Sequence, residues 1–209
     1  MKIALCLLFL SLLSCKKDVS LKEYFNYIDD SWIETVSTQG GEGQVFDDFA
    51  QVKVQRINQN EIHLVSNGER ETITMKLKIT DEKVELKETI IDSQEVDTKT
   101  TFDPAYVLIS QDMLSSGSGT KSISFTTHTE VNHVFNGVKK SSEDLKLNMK
   151  WVFHKEYQGY KSVFVVNTEN KAMNYTEESI YMKGRGIISY TYQTPNFKLT
   201  KMNGKNLKK

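Results

Sequence analysis

Two different spacings of hydrophobic residues divide the chain. Between residues 20 and 40, Ser20 and Glu23 fit the capping box that begins many helices. Apolar side chains then recur every three or four positions, as on one face of a helix, at Leu21, Tyr24, Phe25, Ile28, Trp32 and Val36. This pattern predicts one amphipathic helix near 21–36. Acidic residues occupy the opposite side, so we expect the apolar face to pack against the protein core rather than against a membrane.

From residue 45 onward the spacing changes to two. Apolar and polar residues alternate in runs that turn-forming pairs such as Asn67-Gly68 separate, as in antiparallel strands with one buried face. About ten or eleven such runs follow one another without a domain boundary. We predict a single all-β domain over 21–209: an antiparallel barrel or strongly curved sheet of about ten strands with one N-terminal helix. A two-sheet β-sandwich is the alternative, because alternation does not distinguish closed from open sheets.

The longest alternating runs lie on either side of Asn136-Gly137. A two-residue turn at this pair would place odd-numbered positions opposite even-numbered ones, so that Phe125 and Phe135 would face polar partners. The buried pattern should determine the register. We therefore predict a wider or bulged connection across roughly 136–144, with Phe135 beside Leu145.

Aromatic side chains and one histidine dominate the faces that we predict to point inward. Seven of them are candidate lining residues of a ligand cavity: Phe125, His133, Phe135, Trp151, Phe153, Tyr190 and Tyr192. Aromatic residues can equally fill a core, because protein interiors pack densely. The leading hypothesis is non-enzymatic binding of a small apolar or amphiphilic ligand. The alternative is a protein-interaction module (an inhibitor, an immunity factor or a surface-complex subunit), for which we expect an exposed apolar patch.

A third hypothesis is a metal-dependent enzyme. His128 and Glu130 share the polar face of one strand, and the predicted register places His154 opposite Thr126, diagonal to His128. Three such side chains can hold a metal ion, but two without the third specify little. We favour an exposed polar strand face here. With four histidines and no Ser-His-Asp set, the sequence predicts neither an enzyme nor a cofactor.

The first fifteen residues have the composition of an export signal. Lys2 precedes the apolar run Ile3–Leu13, which only Ser11 interrupts. Because a membrane-spanning helix needs about 20 apolar residues, this run is too short to span. A charged start, a short apolar centre and a small residue before the cleavage point are typical of a secretory signal peptide. The run ends in Leu12-Leu13-Ser14-Cys15, which resembles the lipobox of bacterial lipoproteins.

The lipobox resemblance implies cleavage after Ser14 and attachment of lipid to Cys15. We then expect a signal peptide over 1–14 and a lipidated cysteine with a short tether over 15–20. The implied location is the cell envelope, on the outer membrane, with the domain anchored by its lipid and facing the periplasm or the cell surface. The mature chain would keep Cys15 as its only cysteine, so neither a disulfide nor a cysteine nucleophile would be available.

The charges of the chain balance, with 27 basic and 27 acidic residues. This balance gives no overall attraction to nucleic acid or to acidic lipid headgroups. We therefore predict no nucleic-acid partner, and membrane contact only through the lipid on Cys15. A small apolar ligand or a protein is the other expected partner.

Two glycines flank Arg185 in the segment Tyr175–Tyr192, YTEESIYMKGRGIISYTY, and predict a bulge or sharp bend between two strands. The segment resembles the closing hairpin of a broad set of secreted, barrel-like bacterial proteins of unknown function. Their pattern is a strand ending in an aromatic and a small residue, then G-x-G, then two aliphatic residues and an aromatic one. The matching positions are Tyr181, Gly184, Gly186, Ile187, Ile188 and Tyr190. The resemblance implies a barrel fold and no particular activity.

Overall fold

Twelve antiparallel strands make up most of the described part of the chain, each next in space to its neighbour in sequence. The computed structural model describes residues 20–40, 45–156, 159–168 and 174–203. The strands are β1 (Ser31–Gly40), β2 (Val45–Asn58), β3 (Glu61–Asn67), β4 (Glu71–Ile79), β5 (Lys83–Ser93), β6 (Val96–Ser110), β7 (Ser118–His133), β8 (Gly137–Glu156), β9 (Gly159–Thr168), β10 (Tyr175–Met182), β11 (Gly186–Thr194) and β12 (Phe197–Asn203). The helices are α1 (Leu21–Phe25) and α2 (Gln111–Ser116). No helix within these described ranges is long and apolar enough to cross a membrane.

Pairing between the first and last strands closes the ring. β1 pairs with β12 from Glu34↔Asn203 to Gly40↔Phe197, while its other edge pairs with β2. The all-β antiparallel barrel is therefore confirmed. The predicted strand count of about ten is corrected to twelve, and the β-sandwich alternative is wrong because pairing is continuous around the ring. One of the strands that the sequence pattern does not predict is β1, whose apolar residues are spaced as in a helix.

The predicted helix over 21–36 is wrong beyond its first turns. α1 ends at Phe25, and Ser20 donates a hydrogen bond to Asp81 (2.8 Å) instead of capping the helix. Ile28, placed on the buried face by the helical spacing, is 77% exposed, whereas Trp32 is buried from strand β1. The apparent helical period arises because two different elements direct aromatic side chains into the same core.

The turn between β7 and β8 is tighter than predicted. His133 pairs with Gly137, which leaves residues 134–136 as a three-residue turn. Gly137 has a φ of 71°, a left-handed conformation that glycine adopts without strain and that closes hairpins of this length. Odd positions face odd positions, as the buried pattern required. However, Phe125 lies opposite Leu145, so the wide connection across 136–144 is wrong.

The turn between β10 and β11 has the predicted irregular geometry. Met182 pairs with Gly186, and the strand register shifts between Ile180 and Tyr181, which marks a bulge. Gly184 and Gly186 both have positive φ, 72° and 64°. The bend predicted from the two glycines is thus confirmed.

Helix α1 closes one end of the barrel, which we call the closed end. The Gly184 amide donates to the carbonyl of Glu23 (2.7 Å), and the Ile28 amide donates to the carbonyl of Gly184 (2.8 Å). Tyr27 stacks on Trp32 with ring centroids 5.4 Å apart. Below them the interior is packed with buried apolar side chains from several strands, including Leu77, Val84, Ile109, Met149, Trp151, Phe153, Phe164 and Val166. This packing gives the barrel interior a floor.

Candidate functional site

The inner face changes from apolar to tyrosine-rich where β10 and β11 leave the closed end. Five residues, which we call the lumen cluster, occupy this level: Tyr106, Tyr175, Glu177, Tyr190 and Tyr192. Glu177 lies between Phe164 of β9 and Tyr192 of β11 in the strand register, so it shares the inner face with the buried core. All five side chains nevertheless remain only partly buried. These residues point inward and still contact solvent. They therefore line an accessible space, which is the lumen of the barrel.

Hydrogen bonds and ring contacts join the cluster across three strands. The Tyr190 hydroxyl donates to Oε1 of Glu177 at 3.1 Å. The rings of Tyr175 and Tyr192 lie 5.1 Å apart, centroid to centroid. A side-chain hydrogen bond joins the hydroxyls of Tyr106 and Tyr175, and because Tyr106 belongs to β6, this bond links two walls that are distant in sequence.

Burial sets the protonation of the cluster. Desolvation raises the pKa of the Glu177 carboxyl above its ordinary value, and the hydrogen bond from Tyr190 offsets only part of that rise. Desolvation also raises the pKa of Tyr106, Tyr175 and Tyr190. These tyrosines therefore stay protonated at neutral pH and act as hydrogen-bond donors with uncharged rings.

A second carboxylate lies farther along the same inner face. Glu34 of β1 is paired with Lys201 of β12, Nζ to Oε2 at 3.7 Å. Burial raises the pKa of Glu34, while Lys201 lowers it in part. Lys201 pairs in register with Tyr190, so this ion pair adjoins the lumen cluster. In the described part of the chain, no basic side chain forms an ion pair with Glu177.

Glu177→Gln is expected to raise the free energy of unfolding at pH 7 by about 1–3 kcal/mol. The substitution removes a desolvated charge but keeps a side-chain oxygen that can accept the hydrogen bond from Tyr190. A carboxyl whose native pKa is raised holds its proton in the folded state after the unfolded chain has lost it. The stability of the wild-type chain therefore falls as the pH rises from the pKa of the carboxyl in the unfolded chain, about 4.3, through its raised pKa in the folded state. Urea unfolding should show that the free energies of unfolding of the wild-type chain and Glu177→Gln differ less at pH 4 than at pH 7.

The control for this measurement is Glu178→Gln. Glu178 is the next residue of β10, faces outward and pairs with Lys161 at 2.8 Å. Because both side chains are partly exposed, loss of the pair should cost no more than about 1 kcal/mol. Parallel stability curves for the wild-type chain and Glu177→Gln across this pH range would contradict the raised pKa.

The structure divides the seven predicted lining residues among three places. Tyr190 and Tyr192 belong to the lumen cluster, and the Phe125 ring lies 5.5 Å from that of Tyr106. Trp151 and Phe153 are buried in the packed core at the closed end instead.

The other two predicted lining residues lie at the tip of the β7–β8 hairpin. Phe135 is 89% exposed, so its predicted inward position is wrong: the three-residue turn places it at the tip. His133 is partly exposed beside that turn. Neither residue contributes to the lumen cluster.

Three cluster members were missed from sequence: Tyr106, Tyr175 and Glu177. Strand parity was the available signal, since positions 175, 177, 179 and 181 alternate along β10 and the last two are buried. An acidic residue in that series contradicts a simple apolar core. It indicates a position facing an accessible interior.

The suggested metal ligands do not converge. His128 Nδ1 lies 2.8 Å from Ser142 Oγ, and Glu130 pairs with Lys140 at 2.9 Å. In the observed register Ser142, the partner of His128, is twelve positions from His154 along β8, or roughly 40 Å at the usual rise of a strand. The predicted opposition of His154 and Thr126 is therefore wrong. The described residues contain no cluster of three or more potential ligands.

A second recess, ≈ 330 Å³ in volume, opens at the closed end between α1 and the β2–β3 turn. Its one arginine, Arg56, is already bound to the Asp30 carboxylate and to the carbonyl of Tyr27. Lys22 on its other side pairs with Asp81 at 3.7 Å. With these bases engaged within the chain, the lumen cluster is the stronger candidate site.

Comparison of the chain with protein-family models, with curated proteins and with solved structures found no match. A barrel fold by itself does not define a function, since unrelated activities share such folds. The features of this chain that bear on function are therefore the lumen cluster and the surfaces around it.

Proposed function

We propose that the chain is a lipid-anchored cell-envelope protein that binds a small amphiphilic molecule in the lumen of its barrel without converting it chemically. The observation that carries this proposal is the set of inward-facing, solvent-accessible tyrosines and Glu177 above a solid apolar floor. Ligand sites are typically concave and mostly apolar, with a few polar groups that orient the ligand. The lumen cluster has this composition.

The arrangement of the walls supports entry from the end opposite α1. Phe46 pairs with Thr38, and Phe197 pairs with Gly40, which places both rings at that end; both are exposed. The ring of Phe197 lies 6.5 Å from that of Tyr192. An apolar tail can therefore contact aromatic surface from the mouth to the cluster, while a polar head meets Glu177 and the tyrosine hydroxyls.

The proposed anchor would attach at the closed end. Ser14 and Cys15 lie outside the described residues, which begin at Ser20 beside α1. Five residues span at most about 18 Å, so a lipid on Cys15 would hold the closed end near the membrane. The mouth of the lumen would then face away from the lipid surface.

The lumen proposal is tested with the neutral fluorescent probe N-phenylnaphthylamine and the full chain carrying Cys15→Ser, purified without detergent. Val36→Trp places a large ring on the inner face, opposite Lys201 in the register, and should weaken probe binding by about tenfold or more. Thr35→Trp, on the outer face of the same strand, is the matched control. Equal binding by both variants, or no binding by the unblocked chain, would refute lumen binding.

The anchor is tested by fractionation of the cells that make the protein. We expect the wild-type chain in the membrane fraction and Cys15→Ser in the soluble fraction, because removal of the thiol removes the site of lipid attachment. Intact mass of the wild-type chain should show cleavage before Cys15 and an added lipid. A start at Met1 with an unmodified cysteine would overturn this part of the proposal.

Protein binding is the second candidate function, and one outer surface favours it. Phe49 is 64% exposed, and Ile33 and Met202 are exposed on the same outer face. Thr35 pairs with both Phe49 and Met202, so the three apolar side chains adjoin across β12, β1 and β2. If this is the functional surface, Phe49→Ser should abolish stoichiometric co-purification of a partner while leaving probe binding intact.

A further inference from the structure

We infer that the lumen cluster recognises an organic ammonium ion, whose positive charge faces the Glu177 carboxylate and whose substituents contact the tyrosine rings. This inference rests on the proposed lumen binding and narrows the ligand to one chemical class.

Glu177 has few partners for a partly buried carboxylate that faces the interior. Among the described residues its hydrogen bond comes from Tyr190, at 3.1 Å, and no basic side chain pairs with it. The neighbouring base, Lys201, is committed to Glu34 at 3.7 Å. When all three side chains are ionised, Glu177, Glu34 and Lys201 together carry one net negative charge. Because a desolvated charge is costly without a counter-ion, a bound cation would stabilise the ionised form of Glu177.

The rings beside Glu177 suit a cation rather than a second anion. Tyr175 and Tyr192 lie 5.1 Å apart, and Tyr190 lies beside them through its bond to Glu177. The faces of uncharged tyrosine rings attract ammonium groups, and aromatic cages use this attraction to bind quaternary amines. Their hydroxyls remain protonated because burial raises their pKa.

An anionic amphiphile lacks a partner at the same place. A fatty carboxylate would set a second negative charge against Glu177, and Lys201 could neutralise it only by releasing Glu34. A neutral alcohol would gain hydrogen bonds but no charge interaction. We therefore expect the lumen cluster to bind an ammonium head group more tightly than an alcohol or a carboxylate.

Isothermal titration with three amphiphiles that carry ten-carbon chains tests this ranking, with the two ionic ones kept below their micelle concentrations and decanol below its solubility limit. Decyltrimethylammonium should bind the full chain carrying Cys15→Ser at least about tenfold more tightly than decanol or decanoate. Glu177→Gln should remove most of that preference. Glu178→Gln, with the same chemical change on the outer face, should retain it. Tyr192→Leu should weaken ammonium binding more than decanoate binding, and this partly exposed position should tolerate the change.

The outcomes separate this inference from the function on which it rests. Equal affinity for all three amphiphiles, or an ammonium preference that survives Glu177→Gln, would overturn cation recognition and leave lumen binding standing. Failure of all three amphiphiles and of N-phenylnaphthylamine to bind would overturn both. Binding that persists unchanged in Val36→Trp would place the ammonium outside the lumen and overturn the site.

Discussion

Gly186→Ala is expected to lower the free energy of unfolding by about 2–5 kcal/mol. Gly186 has a φ of 64°, where a residue with a β-carbon costs about 1–2 kcal/mol. A β-carbon here would lie 2.5 Å from Cζ of Tyr27 and closer still to its hydroxyl oxygen. Tyr27 is buried and stacked on Trp32, so it has little freedom to move, and overpacking adds about 1–3 kcal/mol.

Gly137→Ala provides the matched control. Gly137 has a similar φ of 71°, but no atom lies within 4 Å of the position that a β-carbon would take there. Only the backbone strain should remain, about 1–2 kcal/mol. Urea unfolding of the two variants isolates the contact with Tyr27. Equal losses would mean that Tyr27 does not pack tightly against the β10–β11 turn.

Phe25→Ala is expected to cost about 3–5 kcal/mol, the range for truncating a buried phenylalanine. Phe25 is buried, with its ring 6.2 Å from that of Tyr181 and 6.3 Å from that of Tyr27. The truncation leaves a cavity between α1 and the barrel that neighbouring strands cannot fill. Chemical denaturation followed by tryptophan fluorescence measures this loss, since Trp32 belongs to the same core.

Ile28→Ala is the control for the closed end. Ile28 lies three residues beyond Phe25 and is largely exposed, so its truncation should change stability by no more than about 0.5 kcal/mol. If Phe25→Ala costs no more than Ile28→Ala, α1 does not unfold together with the barrel. The stability of α1 would then be independent of the strands that form the barrel wall.

The strands were predictable because a barrel wall imposes one inward and one outward side chain in alternation. β3 shows this rule, with Ile62, Leu64 and Ser66 buried between partly exposed neighbours. β1 escaped prediction for two reasons. Its inward series contains the charged Glu34, and its outward series contains the apolar Ile33. Both residues belong to surfaces with candidate functions. Glu34 faces the lumen, and Ile33 lies beside Phe49 and Met202 on the outer face.

Strand register was less predictable than strand identity. The buried pattern fixes only parity, and any even shift of β8 along β7 keeps odd positions opposite odd ones. Turn length selects among these shifts, and the three-residue turn before Gly137 was not recognised. The predicted pairing of Phe135 with Leu145 and the approach of His154 to His128 both depended on that choice. Both were wrong for the same reason.

The candidate site was only partly visible in the sequence. Tyr190 and Tyr192 were predicted because they alternate along one strand. Tyr106 lies about 70 residues before Tyr175, and only the curvature of the closed ring brings their hydroxyls together. Glu177 was marked only by its place in the inward-facing series of β10, and by itself a single acid in a strand is ordinarily solvated. Convergence across β6, β10 and β11 is a property of the closed barrel, which no local pattern encodes.

The pairing of β1 with β12 has a consequence for biogenesis. The ring can close only when β12, Phe197–Asn203, is available, so this long-range contact can form only after the other eleven strands have been synthesised. A chain that stops after β11 would present two unpaired strand edges, which recruit other polypeptides into aggregates. Termination of the chain before β12 should therefore lower the solubility of the protein much more than the loss of the few side chains of β12 alone would.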